Sequence, residues 1–174
     1  RDIQVRDTQA YDRLLGMMAY NFAIPGIPVI YYGDEIGMPG ASDPDSRRMM
    51  RFDRGLGSNA DPNNKLDTIM GLSEREKKQR TIVAHMAHFR STHMALTYGD
   101  MKVTALSDDV LIVQRKYFGE IVYAVFNRSN TTKAVELSFT DGVRPVNTGT
   151  GKTFIGKTGG IQTFNDTPLV QDDL

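Results

Sequence analysis

The 174-residue chain has no cysteine, which excludes disulfides, thiol nucleophiles and cysteine-held zinc and leaves the compartment open. It has no tryptophan either, the ring most often set against sugar faces. Net charge is absent as well. The 21 Lys+Arg balance 21 Asp+Glu, and no basic run concentrates charge locally, so nothing attracts nucleic acid or an anionic membrane. Long apolar runs are also missing. The longest, Ile24–Tyr32, carries two prolines and falls far short of the roughly 20 residues of a membrane span. What remains is a 40% hydrophobic composition, enough to bury a real core in one or two domains. The chain opens on Arg1 with no signal peptide behind it, and we read it as a piece of something longer.

Two halves differ in periodicity. From Thr8, the residues Tyr11, Leu14, Leu15, Met18 and Phe22 form one apolar helical stripe, with Asp7 or Thr8 as cap and Pro25-Gly26 as stop. Ile27–Tyr32 is then a near-continuous apolar run, which predicts a strand buried on both faces, as in a parallel α/β sheet. A polar loop follows. A second helix opens at Ser73-x-x-Glu76, a capping box, and runs through Ile82, Met86 and Phe89. Beyond about Tyr98 the period becomes two. Met101–Leu106, Val110–Lys116, Ile121–Phe126 and Ala134–Phe139 predict a small antiparallel β-sandwich. The expected division is therefore residues 1–97, α/β, and residues 98–174, all-β.

Several candidate sites dissolve on inspection. "GKTFIGKT", residues 151–158, matches a phosphate-binding loop by letters, but that chemistry needs a helix directly after the loop. Gly159-Gly160-Ile161-Gln162-Thr163-Phe164 reads as turn and strand, so a glycine-rich β-hairpin is expected. His85, His88 and His93 are spaced by three and five rather than the i, i+4 of a helical zinc pair, and they read as packing or surface residues. Asn127-Arg-Ser and Asn130-Thr-Thr satisfy the glycosylation sequon, and turns between strands produce the same letters.

The acidic residues behind the apolar run carry more. Asp34 and Glu35 stand where α/β folds place ligands, at a strand's C-terminal end. Carboxylates there also fix loops, and scaffolding is the preferred reading for both. In Asp43-Pro-Asp-Ser-Arg47, Pro44 suits the first helical position with Asp43 as cap, which puts Asp43 and Arg47 on one face at i, i+4. A carboxylate beside a guanidinium can bind vicinal hydroxyls of a sugar. It can equally be a surface ion pair of little consequence. Spacing alone does not separate the two.

"PGIPVIYYGDEIGM", residues 25–38, followed by "DPDSRRMMRF", residues 43–52, resembles the α-amylase family of glycoside hydrolases, over roughly residues 8–95. The later strands fit that family's C-terminal domain by position and pattern. The resemblance implies the tail of a (β/α)₈ TIM barrel, incomplete in this chain, followed by an antiparallel β-sandwich. It implies a parent enzyme that hydrolyses α-glucosidic bonds in starch or maltodextrins with retention, which takes a nucleophile and an acid/base about 5 Å apart. The family's motifs for its catalytic carboxylates belong to earlier strands and are absent here, so no catalytic residue is assigned and the chain alone is expected to be inactive. Asp43 and Arg47 match positions that resemble glucose-binding residues and are carried over as substrate contacts. Glu35 is expected to fix the loop. The resemblance allows calcium in the parent enzyme, with no ligand for it identifiable here, and no cofactor or metal is assigned to this chain. It favours an extracellular, periplasmic or cell-surface location.

A barrel closes by pairing its last strand with its first, so residues 1–95 are expected to expose an apolar face unless set against the missing N-terminal barrel portion. The competing reading is a non-catalytic carbohydrate-binding or structural module, or an inactive relative used for assembly. Tyr117, Phe118, Tyr123, Phe126, Phe139, Phe154 and Phe164 mostly fall in strands, where core packing is the default. Exposed Tyr117 and Phe118 at a hairpin would favour binding.

Overall fold

A computed structural model describes residues 9–50, 72–139, 142–147, 153–157 and 169–171. Asp7, Thr8 and the stretch Gly159–Phe164 lie outside the described residues. Helix α1 (Gln9–Ala23) buries Leu15, Met18, Ala19 and Phe22, the apolar stripe expected. Helix α2 (Glu74–Thr92) starts at the capping box, in which the Glu76 amide donates to Ser73 Oγ and the Ser73 amide to Glu76 Oε2. It buries Ile82, Val83, Met86 and Phe89. His93 then breaks the helix, and a short α3 (Met94–Tyr98) leads into the strands.

Strands β1 (Asp100–Leu106), β2 (Val110–Tyr117) and β3 (Glu120–Asn127) form an antiparallel meander. Strand β6 (Thr153–Lys157) joins β3 antiparallel, and β7 (Leu169–Gln171) adds to β6 in parallel. Strands β4 (Ala134–Phe139) and β5 (Gly142–Asn147) make a separate two-stranded sheet. The parallel β6–β7 pair corrects the purely antiparallel expectation, because a period-two pattern encodes which face a residue takes and not which way its neighbour runs.

Alternation along the meander splits the core in two. Val113, Val122 and Ala124 turn toward α1, α2 and α3, where they meet Phe22, Phe89 and Leu96. Ile112, Tyr123 and Val125 turn the other way, onto Leu137 of β4. The larger sheet is thus covered by helices on one face and by the small sheet on the other. Each such apolar side chain taken out of water contributes roughly 1.5–3 kcal/mol. At the junction Gly99 leaves no room for a side chain, since a Cβ there would sit 2.7 Å from the Lys116 carbonyl oxygen and closer still to that of Ala95.

The apolar run behaves differently from expectation. Ile27–Tyr32 pairs with no strand among the described residues, and its side chains face solvent: Ile27 is 90% and Val29 79% exposed. The anticipated burial on both faces is absent because nothing described lies alongside it. Its backbone is held from one side chain of α1, where Asn21 Nδ2 donates to the Val29 carbonyl at 2.8 Å.

Candidate functional site

The extended run delivers the chain to a loop whose base is tightly fixed. Asp34–Ile36 makes one 3₁₀ turn. The Glu35 carboxylate accepts the Gly33 amide at 2.8 Å, and the Asp34 carboxylate accepts the Tyr31 amide at 3.3 Å. Gln79 of α2 donates to the Asp34 carbonyl at 3.1 Å, and Ile36 is buried. Gly37 closes the turn at φ 66°, where a Cβ would lie 2.7 Å from the Tyr11 ring, so only glycine fits. Both acidic side chains are occupied with their own loop's amides, which agrees with scaffolding.

Beyond Met38, two acid–arginine pairs interleave. Arg47 Nε donates to Asp43 Oδ1 at 2.8 Å, and Arg47 Nη2 donates to the same oxygen. Arg48 Nε donates to Asp45 Oδ1 at 2.8 Å and its Nη2 to Oδ2 at 3.0 Å, a bidentate fork. Asp45 Oδ2 also accepts the Ala41 amide at 2.8 Å. The first pair is solvent-exposed and the second half-buried, so Asp45–Arg48 folds the loop while Asp43–Arg47 stays accessible on it. The expected cap is corrected: the turn is a single 3₁₀ turn over Asp45–Arg47, Pro44 occupies the cap position after a cis Asp43–Pro44 bond, and no side chain caps it. A cap oxygen must reach back to amides two or three residues on, and the Asp43 carboxylate is taken by Arg47 instead.

Tyr31 and Tyr32 stand beside this loop with ring centroids 4.4 Å apart. A hydrogen bond with the Tyr31 side chain raises the Tyr32 pKa, and the charge of Arg47 opposes that rise. Tyr31 and Tyr32 thus form a ring pair where the run enters the loop, which sequence reasoning missed. The signal was present, since two tyrosines end the apolar run. The result is an open surface of aromatic rings, one carboxylate and one guanidinium, with donors and acceptors suited to a neutral polyhydroxyl ligand.

Asp45 has a further consequence. The Arg48 hydrogen bonds, and next that of the Ala41 amide, hold its pKa below the ordinary value. A depressed carboxylate stabilises the folded loop above its unfolded pKa and loses that stabilisation as pH falls through the folded one. Protection of the Ala41 amide, its exchange rate relative to that of an unstructured amide at the same pH, should accordingly hold at neutrality and be lost only as pH falls below the ordinary aspartate range. A flat profile through that range would mean the fork contributes nothing.

The other candidates land elsewhere. His85 and His88 are exposed, whereas His93 is buried, stacked on Phe89 at 3.8 Å with its Nδ1 2.7 Å from the Phe89 carbonyl oxygen. Among the described residues no three His, Asp or Glu side chains gather as for a metal. Gly156 is a β6 residue in register with Tyr123, a strand position rather than a phosphate cradle, and its neighbours on both sides are strands rather than one hairpin partner. Asn127 is buried, accepting the Ser129 amide and hydroxyl and donating to the Thr131 carbonyl, a turn-forming role. No described helix is long and apolar enough to cross a membrane.

No protein-family model matches the chain. It is 28% identical to the cyclomaltodextrinase of Thermoanaerobacter pseudethanolicus over 72% of its own length and 19% of that protein. To the cyclomaltodextrin glucanotransferase of Paenibacillus macerans it is 29% identical over 66% of the chain and 13% of that protein. Among solved structures, AmyP in complex with maltose superposes with TM-score 0.65 at 14% identity, over 87% of this chain and 35% of that one. CldA, a cyclomaltodextrin glucanotransferase with a three-domain distribution, superposes at 0.55 with 28% identity, over 76% of this chain and 24% of that one. These likenesses support membership of the α-amylase family. It spans less than a fifth of the length of the curated relatives named here. The superposition on AmyP takes in most of the chain, a likeness of fold.

Proposed function

We propose that this chain is the C-terminal portion of a retaining α-glucan hydrolase of the α-amylase type, that its catalytic carboxylates lie outside this sequence, and that Asp43 and Arg47 hold hydroxyls of a glucose unit. The observation that carries the reading is the exposed Asp43–Arg47 pair on a loop pinned by Glu35, Asp45 and Gln79. A fixed base under an accessible pair is the arrangement a sugar subsite needs, because a rigid site loses little on binding. Ile27–Tyr32 serves as a barrel strand, and its partner is the preceding barrel portion. The relatives named above, by their printed names, act on cyclomaltodextrins, and AmyP holds maltose; these support an α-glucan as the substrate class.

The test is kinetic. In the enzyme that carries this chain, Asp43→Ala or Arg47→Ala should raise KM for maltoheptaose roughly 10–100-fold, the loss of one charge-assisted hydrogen bond at about 1.5–3 kcal/mol. The change in kcat should be small, because the pair touches no reacting atom. The 174-residue chain by itself should release no reducing ends from starch. Turnover by the chain alone that vanishes in Glu35→Gln would overturn the assignment, since Glu35 would then be doing chemistry.

A further inference from the structure

We infer that the rings of Tyr98, Tyr117 and Phe118 form a second glucan-binding surface, remote from the Asp43–Arg47 loop. The inference takes its ligand class from the function proposed above. Tyr98 ends α3, whereas Tyr117 and Phe118 sit at the tip of the β2–β3 hairpin. The Tyr98–Tyr117 centroids are 5.9 Å apart and the Tyr117–Phe118 centroids 4.7 Å. Phe118 is 84% and Tyr98 66% exposed, with Tyr117 half-buried between them. Two separate elements thus bring three rings together at the surface, Tyr98 and Tyr117 tilted by 44° and Phe118 edge-on to Tyr117 at 82°.

A second, independent observation is the backbone at Phe118. Phe118-Gly119 is a two-residue turn closed by the Tyr117–Glu120 pair, and Phe118 is the one described non-glycine residue with positive φ, at 47°. The tight turns that suit such hairpins place a positive φ at their first central residue, where glycine, asparagine or aspartate is favoured. A bulky ring in that position is strained and gains no burial in return. Retained strain without packing points to a contact outside the described residues.

The chemistry of the patch selects a sugar. The apolar C–H face of a pyranose stacks on aromatic faces, and the flanking exposed Asp100 and Lys116 offer one acceptor and one donor with no net charge. A protein partner fits less well. Three rings contribute at most about 150–250 Å² each, which falls short of the roughly 800 Å² per partner of a stable interface. The surface also lies at the far end of the fold. Gln79, near the start of α2, holds the substrate loop, and α3 follows the end of α2. From Gln79 to its end at Thr92, α2 rises about 20 Å, so a long glucan could occupy both while a disaccharide could not.

Native electrophoresis of the intact protein through gels containing amylose tests this. The double variant Asp43→Ala, Arg47→Ala removes the loop's contribution and should still be retarded. Adding Phe118→Gly should weaken its affinity for amylose about tenfold, and adding Tyr98→Ala should do the same. Phe118→Gly should leave the melting temperature unchanged or raised, because glycine accepts the positive φ, and it should leave hydrolysis of maltose-sized substrates unchanged in an otherwise native background. Retardation untouched by both ring variants would overturn the inference while the kinetic test of Asp43 and Arg47 stands separately. A drop in melting temperature or a change of oligomeric state in Phe118→Gly would also overturn it, since the ring would then be packing against protein.

Discussion

Arg115→Ala is expected to lower the folding free energy by about 3–5 kcal/mol, read by chemical denaturation, a large share of the 5–15 kcal/mol of an ordinary domain. The reason lies at the end of α1. A helix leaves its last carbonyls without intrahelical partners, with the negative end of its dipole beside them. Helix α1 has no basic residue in its last turn, so the cations come from elsewhere. Arg115 of β2, 1% exposed, donates from Nη1 to the Ala23 carbonyl at 2.7 Å and from Nη2 to the Gly99 carbonyl at 2.7 Å. Arg90 of α2 donates to the carbonyls of Phe22, Ile24 and Gly26. Two guanidiniums therefore tie α1, α2 and the β domain together through one helix terminus.

Burial lowers the pKa of both groups, and for Arg115 the charge of Arg90 lowers it further while Asp100 opposes this. Arginine nonetheless keeps its proton in proteins, so two buried cations persist beside each other with carbonyl oxygens as their hydrogen-bond partners. Arg115→Met separates the contributions. Methionine refills most of the volume but leaves the Ala23 and Gly99 oxygens unbonded, so the part of the loss that persists belongs to hydrogen bonding rather than to the cavity. Arg115→Lys should recover little, because an ammonium lacks the fixed fork that spans two carbonyls. The double variant with Arg90→Ala should cost more than the sum of the singles, since each single variant also relieves the repulsion between the two cations and the double can relieve it only once. Loss under about 1 kcal/mol for Arg115→Ala would mean that water can replace the fork.

Local signals in the sequence carried most of the secondary structure. The Ser73–Glu76 box opens α2 as written, and the period-two runs fall within a residue of β1 to β4. These are short-range effects, set by side chains three or two positions apart. The α1 terminus was not legible, because its partners lie up to 92 residues away in the chain. The site divided in the same way. The Asp43–Arg47 pair is an i, i+4 contact and forms as its spacing suggests, whereas the cap did not, because Pro44 rather than Asp43 occupies the cap position of the turn. The contact between the Tyr31 and Tyr32 rings could be seen only in the folded chain. Phe118 was ambiguous for a physical reason, since a ring at a strand end has the same letters whether it turns inward, as Tyr123 does, or outward.

Val29→Asp distinguishes a barrel strand from a surface segment by its dependence on context. In the 174-residue chain Val29 is largely exposed, and a carboxylate there should change stability by less than about 0.5 kcal/mol. In the longer enzyme, where we propose that Ile27–Tyr32 lies between neighbouring strands, the same charge would be buried without a partner, and the expected loss is about 3–5 kcal/mol. Tyr31 and Tyr32 stand at the loop end of the run and are exposed in this chain as well. The comparison requires only two denaturation curves for each of two chain lengths. A cost that is small in both would place the run on the surface of the whole enzyme and remove the strand from the barrel. A cost that is large in both would mean the run is already packed within this chain, contrary to its exposure. Only the contrast, negligible in the short chain and severe in the long one, follows from a strand whose neighbours come from the rest of the barrel.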